Sequence, residues 1–273
     1  CSMALGVKMK LGIIGLGVVG HANKKGFEKL GHQVIVHDIK LNTKIQSVFD
    51  CDIVFVCVPT PSKSNGSCDT SIVESVISSL ADENFGGIIA IRSSVVPGTT
   101  QKMIDKYSNS RICFVPEFLR ERCAEYDFIH DHQLLAVGTN NFEIYSNMVR
   151  AHGPYPKNTV ILKPTEAEVL KYYLNLYAST RVTFANVFYE ICQKLGCDYT
   201  DVKNAYVMTG RHGDMYLDVN DDLRGYGGVC LPKDTKAIVK LVEDLNLDLK
   251  FFETVDRDNT KFKSTVFSGM RDG

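Results

Sequence analysis

The residues best equipped for chemistry lie in one run, Gly225-Tyr226-Gly227-Gly228-Val229-Cys230-Leu231-Pro232-Lys233-Asp234. A cysteine follows a glycine-rich loop, with a cation three residues on and a carboxylate four on. The thiolate is the reactive form of cysteine, and nearby positive charge favours it, so the run holds the parts of an activated nucleophile. The same letters also fit an ordinary glycine loop that opens a helix. Residues elsewhere in the chain decide between the two.

A second group is Gly15-Leu16-Gly17-Val18-Val19-Gly20, a G-x-G-x-x-G sequence placed after a predicted strand and at the start of a predicted helix. In that setting Gly15, Gly17, Val18, Val19 and Gly20 can form the tight turn that lets a dinucleotide pyrophosphate reach a helix N-terminus. Asp38 closes the next strand. A carboxylate there accepts from both adenosine ribose hydroxyls and repels a 2′-phosphate, which favours NAD over NADP, with Lys40 pulling the other way. A helix cap or turn is the plain alternative for Asp38. Pro59 and Thr60 close the third strand and Ser94 follows the fourth, where open α/β sheets bind ligands, although prolines and serines also serve as turn residues. Glu117 closes a further strand, and Glu121 comes about one helical turn later. Lys171 and Asn175 stand at i and i+4, on one face of a predicted helix. Their neighbours Val169, Leu170, Tyr172, Tyr173, Leu174 and Leu176 are apolar, so that face reads as enclosed, and an enclosed lysine beside an amide suits an oxyanion.

These residues need a scaffold, and the apolar pattern supplies one. Near-continuous apolar runs at 10–14, 33–37, 52–58, 87–92, 112–115, 134–137 and 159–162 read as strands buried on both faces, with helical stretches between them. The fold class is therefore α/β. It is a Rossmann-like doubly wound parallel sheet followed by a long connecting helix and a small all-α central domain. The long helix is read over 165–195, with Pro164 as a stop before it, Thr165 as its N-cap, Glu168 at N3 and Gly196 past its end. The domains are expected at 9–162 for NAD binding and 163–250 for a central helical region carrying Lys171, Asn175 and Cys230, its long helix of a kind that crosses between domains or subunits, with 251–273 as a polar tail.

Bulk properties exclude several classes. The formal net charge is -1 over 273 residues, which gives no global pull toward nucleic acid or anionic membrane. No apolar run approaches the roughly 20 residues needed to span a bilayer. The opening Cys1-Ser2-Met3-Ala4-Leu5-Gly6-Val7-Lys8 is too short and too weakly apolar for a secretory signal, and is read as partly foreign to the fold. Nine cysteines, an odd count with no C-x-x-C pair, argue for thiols in a reducing cytoplasm, mostly as small buried hydrophobes, and against a disulfide framework or a zinc site.

Taken in order, Gly15–Gly20, Pro59-Thr60-Pro61, Ser93–Thr99, Pro116–Glu121, Ala167-Glu168-x-x-Lys171-x-x-x-Asn175 and Gly225–Asp234 resemble the UDP-glucose/GDP-mannose dehydrogenase family. The resemblance runs from residue 10 to about residue 240. It implies an NAD-dependent four-electron oxidation of a sugar 6-hydroxyl to a uronic acid, with UDP-glucose as the expected substrate. Cys230 would be the nucleophile, forming a thiohemiacetal and then a thioester. Lys171 and Asn175 would hold oxyanions, Asp234 and a water near Ser94 would serve proton transfer, and Glu117 would be the base in hydrolysis. Pro59, Thr60, Ser94, Glu121 and Lys233 are expected at the cofactor. Phe118, Leu119, Arg120, Lys171, Asn175, Gly227 and Arg211 are expected at the nucleotide sugar, with Arg211 reaching it across a homodimer built on helix 165–195. No metal, nucleic acid or membrane partner is implied.

The chain departs from the family pattern at three points. Ser94 stands for the usual threonine, Leu223 for an early loop glycine, and the second Rossmann-like domain that helps hold the nucleotide is not among these residues. Three other readings stay open. One is a GDP-mannose or UDP-N-acetyl-sugar dehydrogenase. Another is a β-hydroxyacid dehydrogenase, which has no use for Cys230. The last is an NAD-binding, dimerising homologue without turnover.

Overall fold

Each of the seven apolar runs forms a strand. The computed structural model describes residues 8–108 and 111–264; Cys1 with its neighbours and the end of the expected tail lie outside them. The chain divides into two units, one made of residues up to Pro61 together with Asp69–Lys171, the other of Ser62–Cys68 and the residues from Tyr172 onward.

The first unit runs β1 (Lys10–Ile14), α1 (Val18–Lys29), β2 (Gln33–His37), β3 (Ile53–Val56), α2 (Ser71–Asp82), β4 (Ile88–Ile91), α3 (Thr99–Tyr107), β5 (Ile112–Phe114), α4 (Ala124–His130), β6 (Leu134–Gly138), α5 (Phe142–His152) and β7 (Asn158–Leu162). The strands are continuous apolar runs because both faces are covered. Leu11, Ile53, Phe55, Ala90 and Cys113 pack into one core layer. Val54, Val56, Ile89, Ile91 and Phe114 pack into the other. Burying each large side chain contributes about 1.5–3 kcal/mol.

The sheet order is β2-β1-β3-β4-β5-β6-β7. Strand β1 pairs in parallel with β2 on one side and β3 on the other, so the order reverses there and a crevice opens at the carboxyl ends of β1 and β3. The expectation of a parallel sheet needs one correction, because β6 meets β5 antiparallel through Phe114 and Gly138. After β5 the chain is spent on the loop carrying Glu117. The helix that follows has seven residues, about 10 Å, too short to carry the chain back across the sheet.

The long helix, α6, spans Pro164–Leu195. Proline opens it rather than stopping the chain before it, since the first turn needs no amide donor. The expected cap is thus displaced: Glu166, not Glu168, reaches back to the amide of Lys163 at 2.8 Å, and Thr165 is already helical. At the other end Gly196 adopts φ 69°, and the amide of Cys197 donates to the Cys192 carbonyl at 3.0 Å, a Schellman closure.

In the second unit α7 (Tyr199–Met208), α8 (Cys230–Asp244) and α9 (Phe251–Asn259) follow α6. Helix α9 corrects the reading of a polar tail from 251, as far as the described residues go. Its Val255 is buried, and Asn259 clasps the main chain of Tyr226, accepting from its amide at 2.9 Å and donating to its carbonyl at 3.0 Å. The Gly225 amide adds a bond to the Lys263 carbonyl at 3.1 Å. Residues read as a tail therefore hold the glycine loop that leads to Cys230.

No helix among the described residues is long and apolar enough to cross a membrane. Four of the eight described cysteines (Cys51, Cys68, Cys113 and Cys192) are buried, two are half-buried, and Cys197 and Cys230 are exposed.

Candidate active site

In the first unit the glycine turn lies where the sheet order reverses. Gly15 sits at φ 92°, and a Cβ there would come 2.8 Å from the Cys57 carbonyl oxygen. Gly20 is held as closely: its Cβ would lie 2.1 Å from the Gly15 carbonyl oxygen. Gly17 differs. As N-cap of α1 it has no side-chain partner, and a Cβ built on it would meet no protein atom within 4 Å. Protein packing thus requires glycine at 15 and 20 but leaves open space at 17, beside the uncapped amides of a helix N-terminus. Those features fit the pyrophosphate of a dinucleotide. Val18 is exposed and Val19 half-buried at the same turn.

Asp38 ends β2 and is tied to the turn. One carboxylate oxygen accepts from the Leu16 amide at 2.7 Å and the other from the Lys40 amide at 2.8 Å. The Leu16 bond, then the Lys40 bond, hold this carboxyl below its ordinary pKa, so it stands ionised with lone pairs to spare for ribose hydroxyls. The cap-like bond to Lys40, weighed above as an alternative, coexists with that use. Pro59 is exposed and Thr60 buried beyond β3. Ser93, the first residue of the Ser93–Thr99 motif, ties β4 to β3 by donating to the Val58 carbonyl at 2.6 Å, and half-buried Ser94 follows it.

Beyond β5, Glu117 is only 6% exposed. Its carboxylate meets Arg92 at 3.1 Å, Asn23 at 3.3 Å and the Phe118 amide at 3.0 Å. Its main-chain carbonyl accepts from Lys171 Nζ at 2.5 Å. The structure therefore brings Glu117 and Lys171 together. Phe118 and Leu119 are half-buried and Glu121 exposed. Arg120, expected at the sugar, commits its guanidinium to Asp127, with Nε at 2.9 Å and a terminal nitrogen at 2.5 Å. That pair holds Asp127 below the usual carboxylate range and closes the loop onto α4.

Glu168 anchors the start of α6 instead of capping it. It accepts from the Gly98 amide at 2.6 Å, the Thr100 amide at 2.8 Å and the Thr100 hydroxyl at 2.6 Å, at the N-terminus of α3. Its burial outweighs the bonds from Thr100 and Gly98 and raises its pKa. The native state thus keeps a proton that the unfolded chain has lost. Stability due to this group is greatest at acid pH and falls as pH rises from the ordinary carboxylate range through the raised value. Glu168→Gln, whose amide cannot accept from all three donors, should cost about 2 kcal/mol in urea unfolding and flatten that part of the pH profile.

In the second unit Cys230 is exposed as the first residue of α8, with Val229 as its N-cap. A helix N-terminus favours negative charge on what it faces. One turn on, the fully buried Asp234 accepts from Asn175 Nδ2 at 2.6 Å and pairs with Lys233 at 2.7 Å. The structure thus brings Asn175, Lys233 and Asp234 together, and the second Nδ2 hydrogen of Asn175 remains for another acceptor. Gly227 is half-buried in the loop, and Arg211 is exposed beyond α7. The enclosed face expected around Lys171 and Asn175 is divided: Tyr172 and Leu176 are buried, while Val169, Tyr173 and Leu174 are exposed, because successive helical residues point about 100° apart.

A dinucleotide turn on a mostly parallel sheet, joined to a helical unit carrying an exposed cysteine, defines a dinucleotide-dependent dehydrogenase class. The chain belongs to the UDP-glucose/GDP-mannose dehydrogenase family: residues 39–152 match its NAD binding domain and residues 165–261 its central domain. It is accordingly an NAD-dependent oxidoreductase. A UDP-glucose 6-dehydrogenase of Rickettsia bellii is 28% identical over 94% of this chain and 68% of its own length. A UDP-glucose dehydrogenase from Pyrobaculum islandicum superimposes with a TM-score of 0.87 at 25% identity, over 96% of this chain and 70% of that one. A 3-hydroxyisobutyrate dehydrogenase from Mycobacterium tuberculosis shares the fold alone, with a TM-score of 0.74 at 13% identity over 93% of this chain and 94% of its own.

Proposed function

We propose that this protein is a nucleotide-sugar 6-dehydrogenase that converts UDP-glucose to UDP-glucuronate through a covalent Cys230 intermediate. The observation that carries the reading is the exposed Cys230 thiol at the start of α8, behind a pinned glycine loop, in a chain of an NAD-dependent family. A two-electron hydroxyacid oxidation has no use for such a thiol, whereas oxidation to the acid needs a nucleophile to trap the aldehyde.

NAD, when bound, would accept each of the two hydrides, and the Gly15–Gly20 turn, Asp38, Pro59, Thr60, Ser94, Glu121 and Lys233 would hold it. The 6-hydroxyl loses its proton to a water served by Ser94 and Asp234 as C6 gives up the first hydride, leaving an aldehyde. Cys230 sulfur then bonds the aldehyde carbon, giving a thiohemiacetal whose oxygen Lys171 and Asn175 stabilise as its charge develops. Loss of the second hydride leaves a thioester. Water adds to the acyl carbon, Glu117 takes its proton, and the C–S bond pair returns to Cys230. One sugar, two NAD and one water would give one acid, two NADH and two protons.

On this reading Phe118, Leu119, Gly227 and Arg211 would meet the substrate, and Arg120, its guanidinium held by Asp127, would do so through its main chain. We assign the protein to the cytoplasm as a homodimer. Exposed Tyr177, Phe184, Phe188 and Ile191 along α6 support a second copy as partner.

Counting NADH per sugar on the full chain with UDP-glucose, GDP-mannose and UDP-N-acetyl sugars tests the reading. Two NADH from UDP-glucose are expected. One NADH would indicate an alcohol-to-carbonyl enzyme, and none despite NAD binding a protein without turnover; either would overturn the proposal.

A further inference from the structure

Arg92 follows β4 with its side chain wholly shielded from solvent. A guanidinium in an apolar interior is costly unless it is paired on every side. Its planar centre lies 5.3 Å from the ring of Phe55 and 5.7 Å from that of Phe128. One terminal nitrogen faces Glu117 Oε2 at 3.1 Å as an ion pair outside hydrogen-bond geometry, and the other donates to His152 Nε2 at 2.7 Å. Nε has no hydrogen-bond partner among the described residues, so the Glu117 charge is what offsets the buried cation. His152 is fully buried and directs Nδ1–H to the Met148 carbonyl at 2.8 Å, so its Nε2 carries the lone pair that Arg92 needs. Burial, then Arg92 and His132, hold the His152 pKa well below its ordinary value, and the ring stays neutral.

The consequence falls on Glu117. Its Oε2 is occupied by Arg92 and Asn23, whereas Oε1 is met by the Phe118 amide. Its main chain receives Lys171. We propose that Arg92, braced by His152, is a positioning residue that fixes which oxygen of Glu117 faces water and, through the Glu117 main chain, where the Lys171 ammonium stands. The catalytic part of this inference rests on the reading above, in which Glu117 takes a proton from the water that cleaves the thioester. There the water oxygen bonds the acyl carbon, the proton goes to Glu117 Oε1, and the electron pair of the C–S bond leaves on Cys230 sulfur.

The test compares Arg92→Met, Arg92→Lys, His152→Phe and His152→Gln in steady-state turnover and in the intact mass of acid-quenched enzyme. Arg92→Met should lower kcat about 10- to 100-fold with KM for NAD and sugar within about twofold, and acyl-Cys230 should accumulate. Lysine, which reaches one partner only, should fall between; it takes the place of the methionine variant if that one does not fold. Glutamine at 152 keeps an acceptor for Arg92 and should recover turnover that phenylalanine loses. Wild-type kcat at Arg92→Met, a change in KM alone, or equal rates for the two His152 variants would overturn the proposal. A urea-unfolding cycle of Arg92→Met with Glu117→Gln reads the clamp without activity. The double variant should be less destabilised than the two singles added, and additivity would overturn the clamp. If the wild type makes no NADH, the functional reading fails while this cycle still decides the clamp.

Discussion

Replacing Cys230 by serine is expected to lower net uronic acid formation by at least about 1000-fold while leaving NAD affinity within about twofold. A serine hydroxyl is not ionised near neutral pH, and its oxygen is a far weaker trap for an aldehyde than a thiolate. Removal of the first hydride needs no thiol, so the variant should still give a slow yield approaching one NADH per sugar, with aldehyde as product. The thiol opens α8 in the second unit, and the dinucleotide turn belongs to the first, so cofactor binding should be spared. NADH stoichiometry, product analysis and NAD titration on the same preparation check all of this. Undiminished acid production by Cys230→Ser would sink the covalent mechanism and leave Cys230 as a helix-start residue.

What the sequence disclosed and what it hid follow from the range of the interactions. The strands were legible because burial on both faces writes a local signature, as in Ile53-Val54-Phe55-Val56, where all four residues are buried. The dinucleotide turn was legible because its glycines stand at fixed spacing between a strand and a helix, with Gly20 answering to the Gly15 carbonyl five residues earlier, although Gly15 itself is also held by the distant Cys57 carbonyl. Partners distant in sequence left weaker marks. Thr165-x-x-Glu168 matches a capping box in letters, yet Glu168 finds donors in Gly98 and Thr100, about seventy residues earlier. Asn259 looked like one polar residue among many, and only its bonds to Tyr226 show that it shapes the glycine loop. Arg92 did leave a sign. A charge closing a buried apolar strand must have partners, and asking for them would have pointed to the carboxylate at Glu117.

The glycine turn yields the sharpest separation between stability and binding. Gly20→Ala places a methyl group 2.1 Å from the Gly15 carbonyl oxygen, a backbone atom that can move only if α1 shifts off β1. Unfolding free energy should fall by about 3 kcal/mol, the upper end for overpacking, and NAD binding should be lost with the turn. At Gly17 the backbone is at φ -77°, which alanine adopts freely, and its methyl would meet no protein atom within 4 Å. The stability change should stay within about 1 kcal/mol, the poorer N-cap propensity of alanine being partly offset by a less flexible unfolded chain. The open space that tolerates the methyl is nevertheless the approach to the uncapped amides of α1. A pyrophosphate drawn to those amides would be pushed away, weakening NAD binding at least about 10-fold, or about 1.4 kcal/mol. Urea unfolding beside calorimetric NAD titration distinguishes the two variants. If Gly17→Ala bound NAD as tightly as the parent chain, the dinucleotide would have to lie elsewhere, and the open space at Gly17 would be a solvent-facing turn with no ligand to accommodate.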